Sequence, residues 1–162
     1  VLHPLIEKHL GHGLLIDTNI LLLLLIGRTQ RTLVETFKRT SRHGFTGNDF
    51  DRLMRVVRRF RHVFTTTSIL TEASNLGWQL SGPTRTRFAE TLRQTMLSLD
   101  EKPMPCREVI DEQHFVKVGL TDAGVFQLAR QGLLVLTDDA VLSGLLEKSQ
   151  FDVINFNHLR LL

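Results

Sequence analysis

The sequence predicts an α/β fold in which a central, mainly parallel β-sheet is flanked by helices. Short continuous apolar runs at 14–16, 63–64, 133–136 and 153–154 have the character of strands buried on both faces. Between them, apolar residues recur at helical spacing, and strand alternating with helix implies parallel pairing through crossovers. With 162 residues, 42% of them apolar and 23% charged, the chain reads as a single domain over 1–162 that can bury a substantial core.

The first strand opens GLLIDTNILLLLLIG, residues 13–27, where Asp17 and Asn19 interrupt an almost unbroken apolar run. A charge in such surroundings is costly unless something compensates it. The run from Ile20 to Ile26 predicts a very apolar core helix; surplus apolar surface on it would instead support a homodimer. Residues 48–60 set Phe50, Leu53, Met54, Val57 and Phe60 at helical spacing and turn Arg52, Arg55 and Arg59 elsewhere. Helices are expected over 68–80, 84–97, 121–131 and 139–148, with Pro83 and Gly132 as punctuation. Trp78 is expected to pack against the sheet, and His43 and His62 border the basic segment without an assigned role. In a parallel sheet, ligands gather beyond the carboxyl ends of the strands, and Asp17 directly follows one.

Several classes are disfavoured. No apolar run approaches the ~18 residues needed to span a bilayer, so no membrane association is expected. The segment VLHPLIEKHLGHG lacks the basic start and small-residue cleavage site of a signal peptide. The lone Cys106 permits no internal disulfide, which fits a reducing, cytoplasmic location. Seven histidines show no zinc-site spacing, and no GxxxxGK[ST] loop occurs. A haloacid-dehalogenase-type phosphatase would place a second aspartate where this chain has Asn19, and a receiver domain's phosphoacceptor strand and lysine have no counterpart.

Charge is unevenly distributed. Arg28, Arg31, Lys38, Arg39, Arg42, Arg52, Arg55, Arg58, Arg59 and Arg61 face only Glu35, Asp49 and Asp51 within residues 28–62. That segment carries +7 and the remainder −4, for a net +3. Arginine's planar fork suits phosphate, so the segment is a candidate polyanion surface, against the alternative of a solvated helix face.

Glu72, Asp122, Asp138 and Asp139 also stand on apolar stripes or directly after apolar runs. Glu72 has Ile69 and Leu76 at i−3 and i+4, which places it on an apolar stripe. Asp122 has Val125, Phe126 and Ala129 at i+3, i+4 and i+7, although a first-turn aspartate also favours the helix dipole. Asp138 and Asp139 follow the run 133–136, and either can cap the next helix. Converging acids repel one another and hold some members protonated unless cations neutralise them. Hard oxygen ligands without cysteine or histidine suit Mg²⁺ or Mn²⁺, and beside an arginine-rich surface they point to phosphodiester hydrolysis.

The ordered quartet LLIDTNILL, TTTSILTEASNL, GLTDAGVFQLA and LLVLTDDAVL resembles the motifs of PIN-domain nucleases and spans most of the chain. The resemblance implies a three-layer α/β fold and a Mg²⁺- or Mn²⁺-dependent ribonuclease. Carried over by position, Asp17, Glu72 and Asp122 are its catalytic and metal-holding acids. The usual Thr-any-Asp of the last motif selects Asp139 as the fourth, with Asp138 as an assisting ligand or a cap. Thr18 and Asn19 resemble helpers of the first aspartate, and Thr137 the residue that steadies the last. Arg52, Arg55, Arg58 and Arg59 are the candidate RNA-binding residues. VapC-like toxins of toxin–antitoxin pairs are similar, which would bring an antitoxin partner. The 55 residues from Asp17 to Glu72 exceed their usual interval and include a basic helical insertion around 38–61. The competing expectation is a catalytically silent RNA-binding or protein-interaction module on the same fold.

Overall fold

The computed structural model describes residues 3–161. Helix α1 (Pro4–His9) leads into β1 (Leu14–Ile16), α2 (Thr18–Thr29), α3 (Leu33–Thr36), α4 (Lys38–Ser41) and α5 (Gly47–Val57). Next come β2 (Val63–Thr66), α6 (Thr67–Gly77), α7 (Gly82–Ser98), β3 (Asp100–Lys102), α8 (Cys106–Val109) and α9 (Phe115–Arg130). The chain continues with β4 (Leu134–Thr137), α10 (Ala140–Lys148), β5 (Val153–Asn155) and α11 (Phe156–Leu159).

The five strands form one all-parallel sheet in the order β3-β2-β1-β4-β5. Every residue of β1 and β4 is buried, as their unbroken apolar sequences require of central strands covered on both sides. Right-handed crossovers place α2–α7 on one face, as the chain steps from β1 out to β3. They place α8–α10 on the other, as it returns past β1 to β5. Strand order therefore reverses between β1 and β4, and such a reversal leaves a crevice at the carboxyl ends where ligands bind. Asp17 ends β1 there, its backbone N–H bonding the Leu136 carbonyl at 3.2 Å, and Thr137–Asp139 end β4.

Helix α2 is the centre of the core. Residues Ile20–Gly27 are all buried, and α2 packs against α5, α6 and α7. The apolar surplus that would have supported a homodimer is consumed inside the chain. Gly27 lets α5 approach, since a Cβ there would stand 2.1 Å from the Phe50 ring. Among the described residues, no helix is long and apolar enough to cross a membrane.

Strand β3 escapes the hydrophobic reading because its sequence is DEK: an edge strand needs ladder hydrogen bonds on one side only and can remain polar. Helix α9 starts earlier than its apolar stripe, with Gly119 (φ 83°, ψ −177°) breaking it ahead of the segment that carries Asp122. Trp78 corrects an expectation. It sits at the carboxyl cap of α6, 49% exposed, edge-on to Phe88 of α7 rather than against the sheet. Trp78→Ala is accordingly expected to cost less than truncating a core aromatic, with about 0.5–1.5 kcal/mol from the pairing with Phe88 and the rest from its half-buried area. Truncating a core-packed aromatic typically costs about 3–5 kcal/mol, and denaturant unfolding separates the two cases.

Candidate functional site

The crevice gathers the quartet from four helices and two strand ends. Asp17 caps α2 and is 5% exposed; one carboxyl oxygen accepts the Ile20 N–H at 3.0 Å and the other accepts the Thr137 hydroxyl. Burial, then repulsion from Asp138, raises its pKa to about 8, against the bonds from Thr137 and Ile20, with Asp122 adding to the rise. Asp122, half-buried on α9, is raised to about 6 by desolvation and then by the charges of Asp139 and Glu72. These couplings tie all five acids into one electrostatic neighbourhood.

The carboxylates of Asp138 and Asp139 play opposite parts. Asp139 caps α10, accepting the N–H groups of Val141 and Leu142 at 2.7 and 2.9 Å, yet still faces Asp122. Asp138 caps nothing: its carboxylate is 7% exposed and accepts from the Asn19 amide at 3.0 Å while pairing with His43 Nδ1 at 2.9 Å. Thr137 bridges the two strand ends, donating to Asp17 and accepting the Asp139 N–H at 3.0 Å, so it serves the first aspartate as well as the last. Thr18 and Asn19 bond acids other than Asp17. Thr18 donates to Glu72 at 3.0 Å, and Asn19 holds Asp138.

Glu72 is the second correction: it is exposed rather than core-facing. The buried line of α6 runs through Ile69, Leu70, Ala73 and Gly77, and Glu72 lies on its flank. There it enters an open cleft of about 450 Å³ between α6 and α9, lined by Thr67, Ser68, Thr71, Thr121 and Asp122. Thr121 holds its second oxygen at 2.5 Å.

Three contributors had no linear signal strong enough to find them. His43 approaches Asp138 from 95 residues away. Thr121 was visible only as the polar neighbour of Asp122. Asn157 donates to the Asp138 carbonyl at 2.9 Å from just past the last strand. His62, by contrast, makes an exposed pair with Asp100 at 2.8 Å, remote from these groups in the sheet order.

Helix α5 runs from the crevice end of the sheet toward the amino end of β2, about 16 Å for its 11 residues. Arg52 sits near the crevice end, half-buried, 3.5 Å from Asp49. Arg55, Arg58 and Arg59 are exposed and lie progressively farther along, with Arg58 beside Arg28 at the far end of α2. Arg31 is taken up by Asp51 and Asn48.

The donor set suits a hard divalent cation, because carboxyl oxygens dominate the crevice and burial with mutual repulsion raises the pKa of two of them. As the side chains stand, Asp17, Glu72, Asp138 and Asp139 are each engaged by neighbouring hydroxyl, amide or imidazole groups. No group of three or more His, Cys, Asp or Glu among the described residues is arranged to hold a metal ion. The fit is therefore one of charge and donor chemistry. Compared with known proteins, the chain matches no protein-family model and no curated protein.

Proposed function

We propose that the chain is a Mg²⁺- or Mn²⁺-dependent ribonuclease of the PIN-domain type, hydrolysing RNA phosphodiester bonds. The observation that carries this reading is Asp17, a buried carboxyl with its pKa raised to about 8 at the sheet's switch point, amid four further acids. A buried acid without a cationic partner is an electrostatic cost to the fold, and a function that requires the charge accounts for its presence. Asp17, Glu72, Asp122 and Asp139 would hold the cation, with Asp138 beside them. A divalent ion there supplies water activation and neutralises charge developing on phosphate. The protein's own groups do the positioning: Thr137 orients Asp17, Thr18 and Thr121 fix Glu72, and Asn19 with His43 fix Asp138. The open cleft between α6 and α9 would receive the RNA strand at that edge.

Purified protein is expected to cut RNA in Mg²⁺ or Mn²⁺ and to be silent in EDTA; cleavage undiminished by EDTA defeats the reading. The lack of a preformed metal-holding group among the described residues favours one alternative, a catalytically silent RNA-binding or interaction module, which would bind RNA without cutting it under either condition.

The exposed arginines of α5 make a separate prediction. Arg55→Ala with Arg59→Ala is expected to lower the slope of log affinity against log salt by up to about 1.4, roughly 0.7 per single-strand phosphate contact. Filter binding across a salt series measures it, and an unchanged slope makes these residues a solvated face.

A further inference from the structure

A second cleft, of about 640 Å³, opens between α5 and α11, with Asp49, Arg52, Asn157 and Arg160 in its lining. Asp49 is 4% exposed and anchors two guanidinium groups at once: Arg160 Nη2 at 3.2 Å on one oxygen and Arg52 Nη1 at 3.5 Å near the other. The backbone N–H and hydroxyl of Thr46 complete Asp49 at 2.9 and 3.0 Å. Arg160 is further fixed by the carbonyls of His43 and Gly44, by Asn157 Oδ1 at 3.1 Å and by the Phe45 ring at 5.4 Å.

Two arginines on one acid leave a local charge of +1. Arg160 is held rigidly, whereas Arg52 meets Asp49 only at ion-pair distance and commits few of its five N–H donors. The cleft also shares a wall with the acidic crevice, because Asn157 accepts from Arg160 and donates to the Asp138 carbonyl. We propose that this cleft binds a phosphodiester oxyanion of an RNA strand that continues into the acidic crevice. The inference rests on the nuclease reading and adds to it the element that sets the strand's register. Five acids in the crevice repel a polyanion. A fixed Arg160 guanidinium with the freer Arg52 beside it offsets that repulsion, and Arg52's planar fork suits phosphate oxygens. The arginines farther along α5 do not meet this description, being exposed, and Arg31 is already spent on Asp51.

The test is a scan of a short single-stranded RNA in EDTA, replacing one phosphodiester at a time with a neutral methylphosphonate. Affinity is expected to fall about tenfold or more at one linkage and little elsewhere, the size expected for a hydrogen bond to a charged group. Arg52→Gln should cost a similar factor and abolish that positional difference, and Arg52→Lys should restore part of it. A flat scan on the wild-type protein overturns the subsite whatever the variants do, and so does displacement of the RNA by inorganic phosphate at matching concentration, which would mark a free-phosphate site. Normal cleavage in Mn²⁺ with a flat scan removes the subsite alone. A position-specific, Arg52-dependent loss in a protein that cuts nothing removes the nuclease reading and leaves the anion site standing.

Discussion

Asp17→Asn protein is expected to lose more than roughly 100-fold of its Mn²⁺-dependent RNA cleavage, since even outer-shell partners of a metal commonly cost 10–100-fold. Its circular dichroism and its RNA affinity in EDTA should match the wild type. The carbonyl of the introduced amide can still accept the Ile20 N–H, and the cap of α2 survives. The same substitution has a signature independent of activity. The folded pKa of Asp17 is raised to about 8 from 3.8, so between those values the native state binds a proton that the unfolded chain has released. Stability from this source is complete below about 4 and is lost as pH rises through about 8.

Metal-free wild-type protein should therefore melt at progressively lower temperature from pH 4 to 8, and Asp17→Asn should flatten that decline. Asp122, raised to about 6, contributes a shallower component of the same sign that persists in the variant. Asp51 and Asp152, lowered by their basic partners, lose stability only as pH falls below the ordinary carboxylate range, outside this window. Identical pH slopes for the two proteins would show that Asp17 is not the strained group. Added Mn²⁺ should raise the wild-type melting temperature near pH 8 more than that of the variant, by linkage to the ionised form.

What could be read from the linear chain was whatever hydrophobic contrast marks. Strands β1 and β4 and helix α2 stood out because apolar runs bound them, and Asp17, Asp138 and Asp139 stood out because they break or end those runs. Asp122 fell on a real stripe, with Val125, Phe126 and Ala129 buried around it. Contrast failed where polarity carries the structure. Strand β3 is polar, and the short helices α1, α3, α4, α8 and α11 have at most six residues, too few for a periodicity to declare itself. It failed again at stripe edges. Glu72 has apolar residues at i−3 and i+4 yet lies on the flank of the buried line, a rotation that sequence spacing does not resolve. The Asp138 setting was beyond it altogether, because His43, Asn19 and Asn157 come from three separate segments.

Thr137→Val is expected to damage both stability and cleavage, and it tests whether the site was built around the β1–β4 junction. Valine preserves the side chain's shape and the strand's preference for β-branching, so packing in β4 should hold. What disappears is one hydroxyl with two partners. The buried Asp17 oxygen loses its donor, and the Asp139 N–H loses its acceptor. Leaving two such groups unpaired should cost about 2–6 kcal/mol, at about 1–3 kcal/mol each. The Thr137 bond also opposes the upward shift of the Asp17 pKa, so its removal pushes that pKa higher still. The neutral form of Asp17 then persists to higher pH, and the pH at which cleavage reaches half its maximum should move upward. Asp17→Asn, which has no proton to lose, shows no such profile. A Thr137→Val protein that is destabilised but cleaves with an unshifted pH profile would assign the hydroxyl to folding alone. A shifted profile with restored activity at alkaline pH assigns it to tuning the buried acid, because a group that merely held the strands together has no means of moving a proton equilibrium.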